Sequence, residues 1–245
     1  MRTAIRLFLL INSMLLIAGL VLRDALPPAA TLDRRLLNEP LQTPIQQATF
    51  QVQSQQIVYT IKPLYDYDLV GLVVSKHNAD TWWDYLHKEW NDHLNITDLC
   101  VVWGNNVRND AYQAIEFSSG QFTCNFSTHS DAAFRAFDQT AISNNHLLTN
   151  QLSLAKALRA VRVGDQIHLK GRLAEYAHHQ GFAFHRGTST VRNDTGNGAC
   201  ETIFVDQFEM IRAGGGVWRT LIWLNLFGLF IGIVLWLKQP LRFKD

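Results

Sequence analysis

The sequence has little proline, little cysteine and no low-complexity tract, and these shortages exclude several classes of protein. It holds 6 prolines and 3 cysteines among 245 residues, and 47% of the residues are apolar. This composition excludes a disordered, collagen-like or disulfide-dense small scaffold and is sufficient to fill one sizeable core. The C-x-x-C spacing is absent, so neither thioredoxin-like redox chemistry nor a zinc site of that type is indicated.

Two stretches lack charged residues altogether. Residues 7–22 and 221–237 contain no Asp, Glu, Lys or Arg. The first stretch spans about 24 Å at about 1.5 Å per residue, which is short for a hydrocarbon core of about 30 Å. The second is accompanied by tryptophans of the kind found at membrane interfaces, namely Trp218, Trp223 and Trp236.

Both uncharged stretches are predicted to cross a lipid bilayer. Residues 1–23 are interpreted as an uncleaved signal anchor, with a cleaved signal peptide as the alternative. Residues 214–238 are interpreted as a C-terminal transmembrane helix and residues 239–245 as a cytoplasmic tail. The numbers of basic residues near the membrane are equal on its two sides. However, Arg2 and Arg6 precede the first stretch, and basic residues follow the second stretch within eight positions. We therefore expect a two-pass protein of the inner (cytoplasmic) membrane with an extracytoplasmic central domain.

The second uncharged stretch carries a small-xxx-small pattern. Gly228 and Gly232 are separated by three residues, a spacing that lets two helix backbones approach closely. We expect these glycines to pack against the first helix at Gly19 and Ala18. The alternative is that glycine is simply common in membrane helices.

The central region is mildly acidic. From Asp24 to Gly216 the sequence has 15 Lys plus Arg and 20 Asp plus Glu, a formal charge of 15 − 20 = −5. Nucleic-acid binding is not expected, because it requires a clustered basic face. Residues 24–48, with their prolines, are predicted to be a stalk, and residues 49–213 are predicted to form one domain.

All three cysteines lie in the central region, and an oxidising compartment would allow one disulfide. Cys100 and Cys124 stand in two strand-like runs, and a hairpin centred on Tyr112 would place them opposite each other. A Cys100–Cys124 disulfide is one interpretation. The others are a bridge from Cys200 to either of them, or three small buried side chains.

Apolar periodicity predicts a mainly β structure with helical insertions, an α+β class. The predicted strands are residues 49–62, 69–75, 99–103, 114–126, 164–176 and 202–211, and the predicted helices are residues 81–93, 131–148 and 153–161. The run Gly-Asp-Gln-Ile-His-Leu-Lys-Gly-Arg-Leu, which begins at Gly164, resembles the fourth strand of an OB-fold barrel. The resemblance implies an OB-like, partly open β-barrel between the two transmembrane helices.

The same layout is similar to that of the membrane-anchored OB-fold haem chaperones of cytochrome c maturation. That family attaches haem through a His-x-x-x-Tyr stretch. No histidine in this sequence has a tyrosine four residues later, so no haem and no other cofactor is expected.

The connection 178–200 is the predicted binding element. It is long and polar, and unstructured loops of this length are usually functional or disordered; in OB barrels the connection between the last two strands often binds ligands. The candidate binding residues are Arg186, Arg192, Asp194, Asn197 and Glu201. We expect a non-enzymatic module that engages an envelope protein or a small ligand through this connection, although a solvated loop held by its own turns is the simpler alternative.

An enzyme is the alternative from another class. His185, Ser189 and Asp194 supply the residue types of a hydrolase triad, but no G-x-S-x-G sequence frames the serine. His178 or His179 could join His185 in a metal site. Adjacent histidines on a strand point to opposite faces, however, so no metal is expected.

Overall fold

The computed structural model describes residues 2–239, apart from the side chain of Asn197. The chain divides into two compact units, one formed by the residues up to Ala25 with those from Gly214 onward, the other by Leu26–Ala213. The architecture is α+β and mostly sheet. The helices are α1 (Arg2–Leu22), α2 (Leu86–Glu89), α3 (Gly104–Arg108), α4 (Asp131–Ala136), α5 (Leu152–Ala160) and α6 (Gly216–Leu237). The strands are β1 (Leu41–Pro44), β2 (Phe50–Ser54), β3 (Ile57–Asn78), β4 (Asn95–Val102), β5 (Glu116–Gly120), β6 (Thr123–Ser127), β7 (Ile142–Leu148), β8 (Gln166–His178), β9 (Phe184–Arg186) and β10 (Cys200–Arg212).

The first unit is a pair of apolar helices. Helix α1 has 21 residues and α6 has 22, with mean hydropathies of 2.3 and 2.2. At about 1.5 Å per residue each is about 32 Å long, so both are long and apolar enough to cross a membrane. Helix α1 begins at Arg2, ahead of the uncharged stretch, and this supplies the length that the stretch alone lacks.

Helices α1 and α6 pack against each other. A methyl group on Gly228 would collide with the Asn12 side chain, and one on Gly232 would collide with Leu9. A glycine at each position therefore leaves room for the facing side chain of α1. The neighbours of these glycines on α1 are Asn12 and Leu9 rather than Gly19.

In the second unit, five strands pair in a closed ring. β3 pairs antiparallel with β4, and β4 pairs antiparallel with β7. β7 runs parallel to β10, which pairs antiparallel with β8, and β8 returns to β3. β1 and β2 flank β3, β9 extends from β8, and β5 with β6 form a separate hairpin.

The register of the ring places polar residues on one face and apolar residues on the other. Asp98 of β4 lies beside His146 of β7, which lies beside Thr202 of β10. Because successive side chains alternate between faces, the neighbouring residues Leu147 and Ile203 point to the opposite side. There they join an apolar cluster that is covered by α5.

The predicted helix 131–148 is wrong in its second half. Helix α4 ends at Ala136, because Phe137 is extended and the following residues form a turn in which the Asp138 side chain accepts a hydrogen bond from the Thr140 amide. Residues Ile142–Leu148 instead form β7, the strand between β4 and β10. Pairing on both sides overrides a local pattern that could suit either element.

Two other elements are shorter than predicted. The predicted helix 81–93 is reduced to the four residues of α2, because the preceding residues form turns around the buried Asp84. The predicted strand 49–62 is interrupted by a turn at Gln55, where φ is 55°, and becomes β2 and the start of β3.

Most of residues 24–48, which were expected to form a stalk, belong to the second unit, since that unit begins at Leu26. Leu36 is fully buried in an apolar cluster, and β1 pairs with β3. The hydroxyl of Tyr112 donates a hydrogen bond to the Pro27 carbonyl at 2.5 Å.

A disulfide joins Cys100 of β4 to Cys124 of β6. It links the main sheet to the β5–β6 hairpin, whereas Tyr112 lies in a short 3-10 turn before the hairpin. Cys200 is a free thiol at the start of β10.

Candidate functional site

The site is built around Arg186, which the long final connection places at the edge of the sheet. Strand β9 pairs with β8, with Arg186 opposite Tyr176. The Arg186 Nη2 donates a hydrogen bond to His146 Nε2 at 2.7 Å, and the guanidinium carbon lies 4.0 Å from the centre of the Phe122 ring. Within residues 2–239, no carboxylate forms an ion pair with Arg186. The guanidinium is therefore held in place with donors to spare.

His146 and Asp98 form a buried pair beneath Arg186. His146 Nδ1 lies 2.8 Å from Asp98 Oδ1, and both side chains are fully buried. Burial lowers the pKa of His146. Burial alone would raise the pKa of Asp98, but the interaction with His146 and the Asn95 hydrogen bond outweigh it and lower this pKa to about 2.

Hydrogen-bond geometry fixes the protons of this pair. A guanidinium can only donate, so His146 Nε2 accepts from Arg186 and the ring proton is on Nδ1, facing Asp98. His146 is thus neutral and Asp98 ionised. The unprotonated Nε2 of His146 faces the surface, and it accepts the hydrogen bond from Arg186.

The row of hydrogen bonds continues inward through Asn95. Its Nδ2 lies 2.8 Å from Asp98 Oδ1 and 3.0 Å from His87 Nε2. Because an ionised Asp98 can only accept, this amide nitrogen donates to both groups. His87 is therefore an acceptor at Nε2 and carries its proton on Nδ1.

His87, Asp84 and His77 end the row and are the residues best placed to hold a metal ion. Their nearest ligand atoms lie within 4.8 Å of one another, and all three side chains are buried. Asp84 Oδ2 lies 2.6 Å from both His87 Nδ1 and His77 Nε2, and Asp84 Oδ1 accepts from the His87 amide at 3.0 Å. The hydrogen bond from Asn95 to His87 Nε2 leaves the ring proton on Nδ1. In this tautomer Nδ1 has no free lone pair to offer a metal ion. The trio thus acts as a clamp that fastens the connection between β3 and β4 to β3.

Asp92 adds a second carboxyl group to the buried network. It lies on the same connection and accepts a hydrogen bond from the Tyr176 hydroxyl at 2.6 Å. Burial raises the pKa of Asp92 and raises that of Tyr176 well above its usual value of 10. Burial thus disfavours the ionised form of each group, and the hydrogen bond between them ties the connection to β8.

An open cleft of about 330 Å³ lies over Arg186 and His146. Its volume falls within the range of small-molecule sites. No Asp or Glu belongs to its lining, which is polar and includes one cationic group. The lining residues are His146, Arg186, Gly187, Thr188, Ser189, Gly198, Cys200 and Thr202.

Cys200 lines this cleft and also a second, smaller cavity of about 30 Å³. Cys124 of the disulfide and Asn144 of β7 line the smaller cavity as well. Burial raises the pKa of the Cys200 thiol above its usual value of 9. At neutral pH the thiol is therefore protonated in this structure.

Arg192, Asp194 and Glu201, three of the other predicted binding residues, have structural partners. Arg192 Nη1 lies 2.8 Å from Glu201 Oε1, and Glu201 is fully buried. The Arg192 guanidinium also lies over the rings of Tyr67 and Trp103. This ion pair anchors the final connection to the core. The side chain of Asn197 lies outside the described residues.

The residues proposed for a hydrolase are not assembled into a triad. The Ser189 hydroxyl donates a hydrogen bond directly to Asp194. His185 is largely exposed and lies 3.8 Å from Glu175 on β8. No imidazole therefore stands between the serine and the carboxylate.

Sequence reasoning missed most of the buried network. Asp98, Asn95 and His146 lie inside strands whose apolar neighbours dominated the pattern. The run Ser143-Asn144-Asn145-His146 was the available signal, because four polar residues are unusual in a fully buried strand.

Comparison of the chain with protein-family models, with curated proteins and with solved structures found no match.

Proposed function

We propose that the protein is a membrane-anchored binding module that takes a small anionic ligand, a carboxylate or a phosphate, in the cleft over Arg186. The observation that carries the proposal is a positioned guanidinium that has no ion-pair partner in the described part of the chain and lies in an open cleft whose lining contains no carboxylate. Arginine binds carboxylate and phosphate through paired N–H donors. An envelope protein that presents an acidic group would meet the same chemistry.

Position on the sheet supports an OB-like interpretation of the module. In OB folds, the face of strands 2 and 3 and the connections 1–2 and 4–5 form the binding surface. Taken in chain order, the ring strands are β3, β4, β7, β8 and β10. Asp98 and His146 lie on its second and third strands, His87 on its first connection and Arg186 on its fourth. Fold likeness alone assigns no ligand, so the class of ligand is inferred from the chemistry of the cleft.

The same proposal places the module outside the cytoplasmic membrane, with α1 as an uncleaved signal anchor and α6 as the second span. The Cys100–Cys124 disulfide supports this placement, because disulfides persist in oxidising compartments. The two apolar helices at the ends of the described chain support a two-pass arrangement.

The test is calorimetric titration of the full chain in detergent micelles with inorganic phosphate and with acetate, in a buffer that contains neither. We expect Arg186→Gln to weaken binding of the bound anion at least about tenfold, since a charge-assisted hydrogen bond contributes about 1.5–3 kcal/mol. The matched control is Arg108→Gln, an exposed arginine at the end of α3, which should leave the affinity unchanged.

Two results would overturn the proposal. One is that the wild-type chain gives no saturable heat with either anion. The other is that Arg186→Gln binds as tightly as wild type.

A further inference from the structure

The three cysteines of the chain converge on one face of the sheet. Asn144 of β7 is the register partner of Cys100 on one side and of Cys200 on the other. Cys124 reaches the same place from the hairpin through its bond to Cys100. A disulfide and a free thiol therefore lie around one residue.

Cys124 and Cys200 line a single small cavity. Its volume of about 30 Å³ leaves room for about one or two water molecules. Both cysteines are partly exposed, whereas Cys100 is fully buried. Of the two disulfide sulfurs, that of Cys124 is thus the accessible target for the free thiol.

Asn144 marks this cavity as a polar site rather than a packing gap. It is 2% exposed and lines the cavity, yet neither its Oδ1 nor its Nδ2 has a nitrogen or oxygen partner within hydrogen-bond distance. A buried amide without a partner is costly, and in native structures such a group often lies at a site that holds water or that has a catalytic or redox role.

From this arrangement we infer that the chain contains a thiol–disulfide exchange site, in which Cys200 attacks Cys124 and releases Cys100. The Cys200 thiol loses its proton to water, and its Sγ bonds to the Sγ of Cys124. The Cys100–Cys124 bond breaks, and the Cys100 thiolate takes a proton from water. One disulfide and one thiol are present before and after, so no oxidant or reductant is consumed.

The exchange moves the attachment of the hairpin from β4 to β10. The tip of that hairpin carries Phe122, whose ring lies against both Arg186 and His87. If the cleft binds an anion as proposed above, the exchange would shift the surface on which the arginine rests. The exchange itself does not depend on that function.

A pair of serine variants tests the geometry. In Cys100→Ser, incubation of the full chain with oxidised glutathione should produce a Cys124–Cys200 disulfide, identified by non-reducing peptide mapping. In the matched variant Cys124→Ser, Cys100 and Cys200 stand two strands apart, about 10 Å, beyond the reach of about 6.8 Å for a disulfide. They should stay unpaired. Separate glutathione adducts on Cys124 and Cys200 in folded Cys100→Ser would overturn the inference.

The wild-type chain provides a second measurement that needs no variant. After incubation at pH 7 and pH 9, the protein is quenched with acid, unfolded and alkylated, and the free thiol is mapped. We expect part of the free thiol to move from Cys200 to Cys100, and to do so faster at pH 9, because the thiolate is the attacking species and its fraction increases with pH. A free thiol that stays on Cys200 alone at both pH values would contradict exchange.

Discussion

Arg186 and Arg192 lie on the same connection but have opposite surroundings. Arg192 is bonded to a fully buried carboxylate, whereas Arg186 is half-buried and bonded to a neutral histidine. Burial raises the pKa of Glu201, against the effect of its hydrogen bond from Arg192. One arginine therefore holds the fold and the other faces a cleft.

This difference predicts different stability effects for two matched variants. Arg192→Ala should lower the free energy of unfolding by about 3 kcal/mol, because it leaves the Glu201 carboxylate buried without its partner. Arg186→Ala should cost about 1–2 kcal/mol, because it removes one hydrogen bond to the buried His146 and the contact with the Phe122 ring, but leaves no charge buried. Urea unfolding of the full chain in detergent, followed by circular dichroism, measures both. Equal losses would contradict the assignment of Arg192 as the anchor.

The buried His146 predicts a pH-dependent contribution to stability. Its pKa is lowered in the folded chain, so below about pH 6.5 the unfolded chain binds this proton first. Stability due to His146 is thus complete above that pH and falls as pH decreases toward the folded pKa. The stability advantage of wild type over His146→Gln should shrink by up to about 1.4 kcal/mol per pH unit in this window. Parallel urea midpoints from pH 7 to pH 5 would argue against a neutral buried His146.

Among the elements, β7 was the hardest to predict and matters most to the site. The class, the final strands, helix α5 and the two apolar helices follow from periodicity and uncharged length. β7 does not, because Ser143, Asn144 and His146 are poor strand formers, and their place is set by pairing with β4 and β10. The roles of Asp98 and Asn95 could not be predicted from the local sequence either, because their partners are distant along the chain or lie on other elements.

Helix pairing in the first unit also gives a prediction. Gly228→Ile should separate α1 from α6, because the new side chain would occupy the space of Asn12. A benzophenone amino acid in place of Phe8, which lies against Gly232, should cross-link to α6 in the wild-type background and several-fold less with Gly228→Ile. Phe230→Ile, at an exposed position of α6, is the matched control and should preserve the adduct. Unchanged cross-linking in Gly228→Ile would exclude this role for the glycine.

For the whole molecule, sidedness is the property to be measured. A single reporter thiol can be made with Gln56→Cys, at an exposed turn, in a Cys200→Ser background, since Cys100 and Cys124 are bonded to each other. If the domain is extracytoplasmic, a membrane-impermeant maleimide should label this thiol in intact cells from which any outer permeability barrier has been removed. The Cys200→Ser parent without the reporter should stay unlabelled. Labelling that appears only after lysis would place the domain in the cytoplasm.

The unbroken row from Arg186 through His146, Asp98, Asn95, His87 and Asp84 to His77 has a consequence for how variants of this protein combine. The members are hydrogen-bonded one to the next, so the two ends of the row form one energetic unit, although Arg186 lies on β9 and His77 lies on β3. Losses measured for single substitutions at Asp98 and Asp84 should therefore not sum in the double variant. The coupling free energy between substitutions therefore describes this interior better than the loss measured for any single substitution.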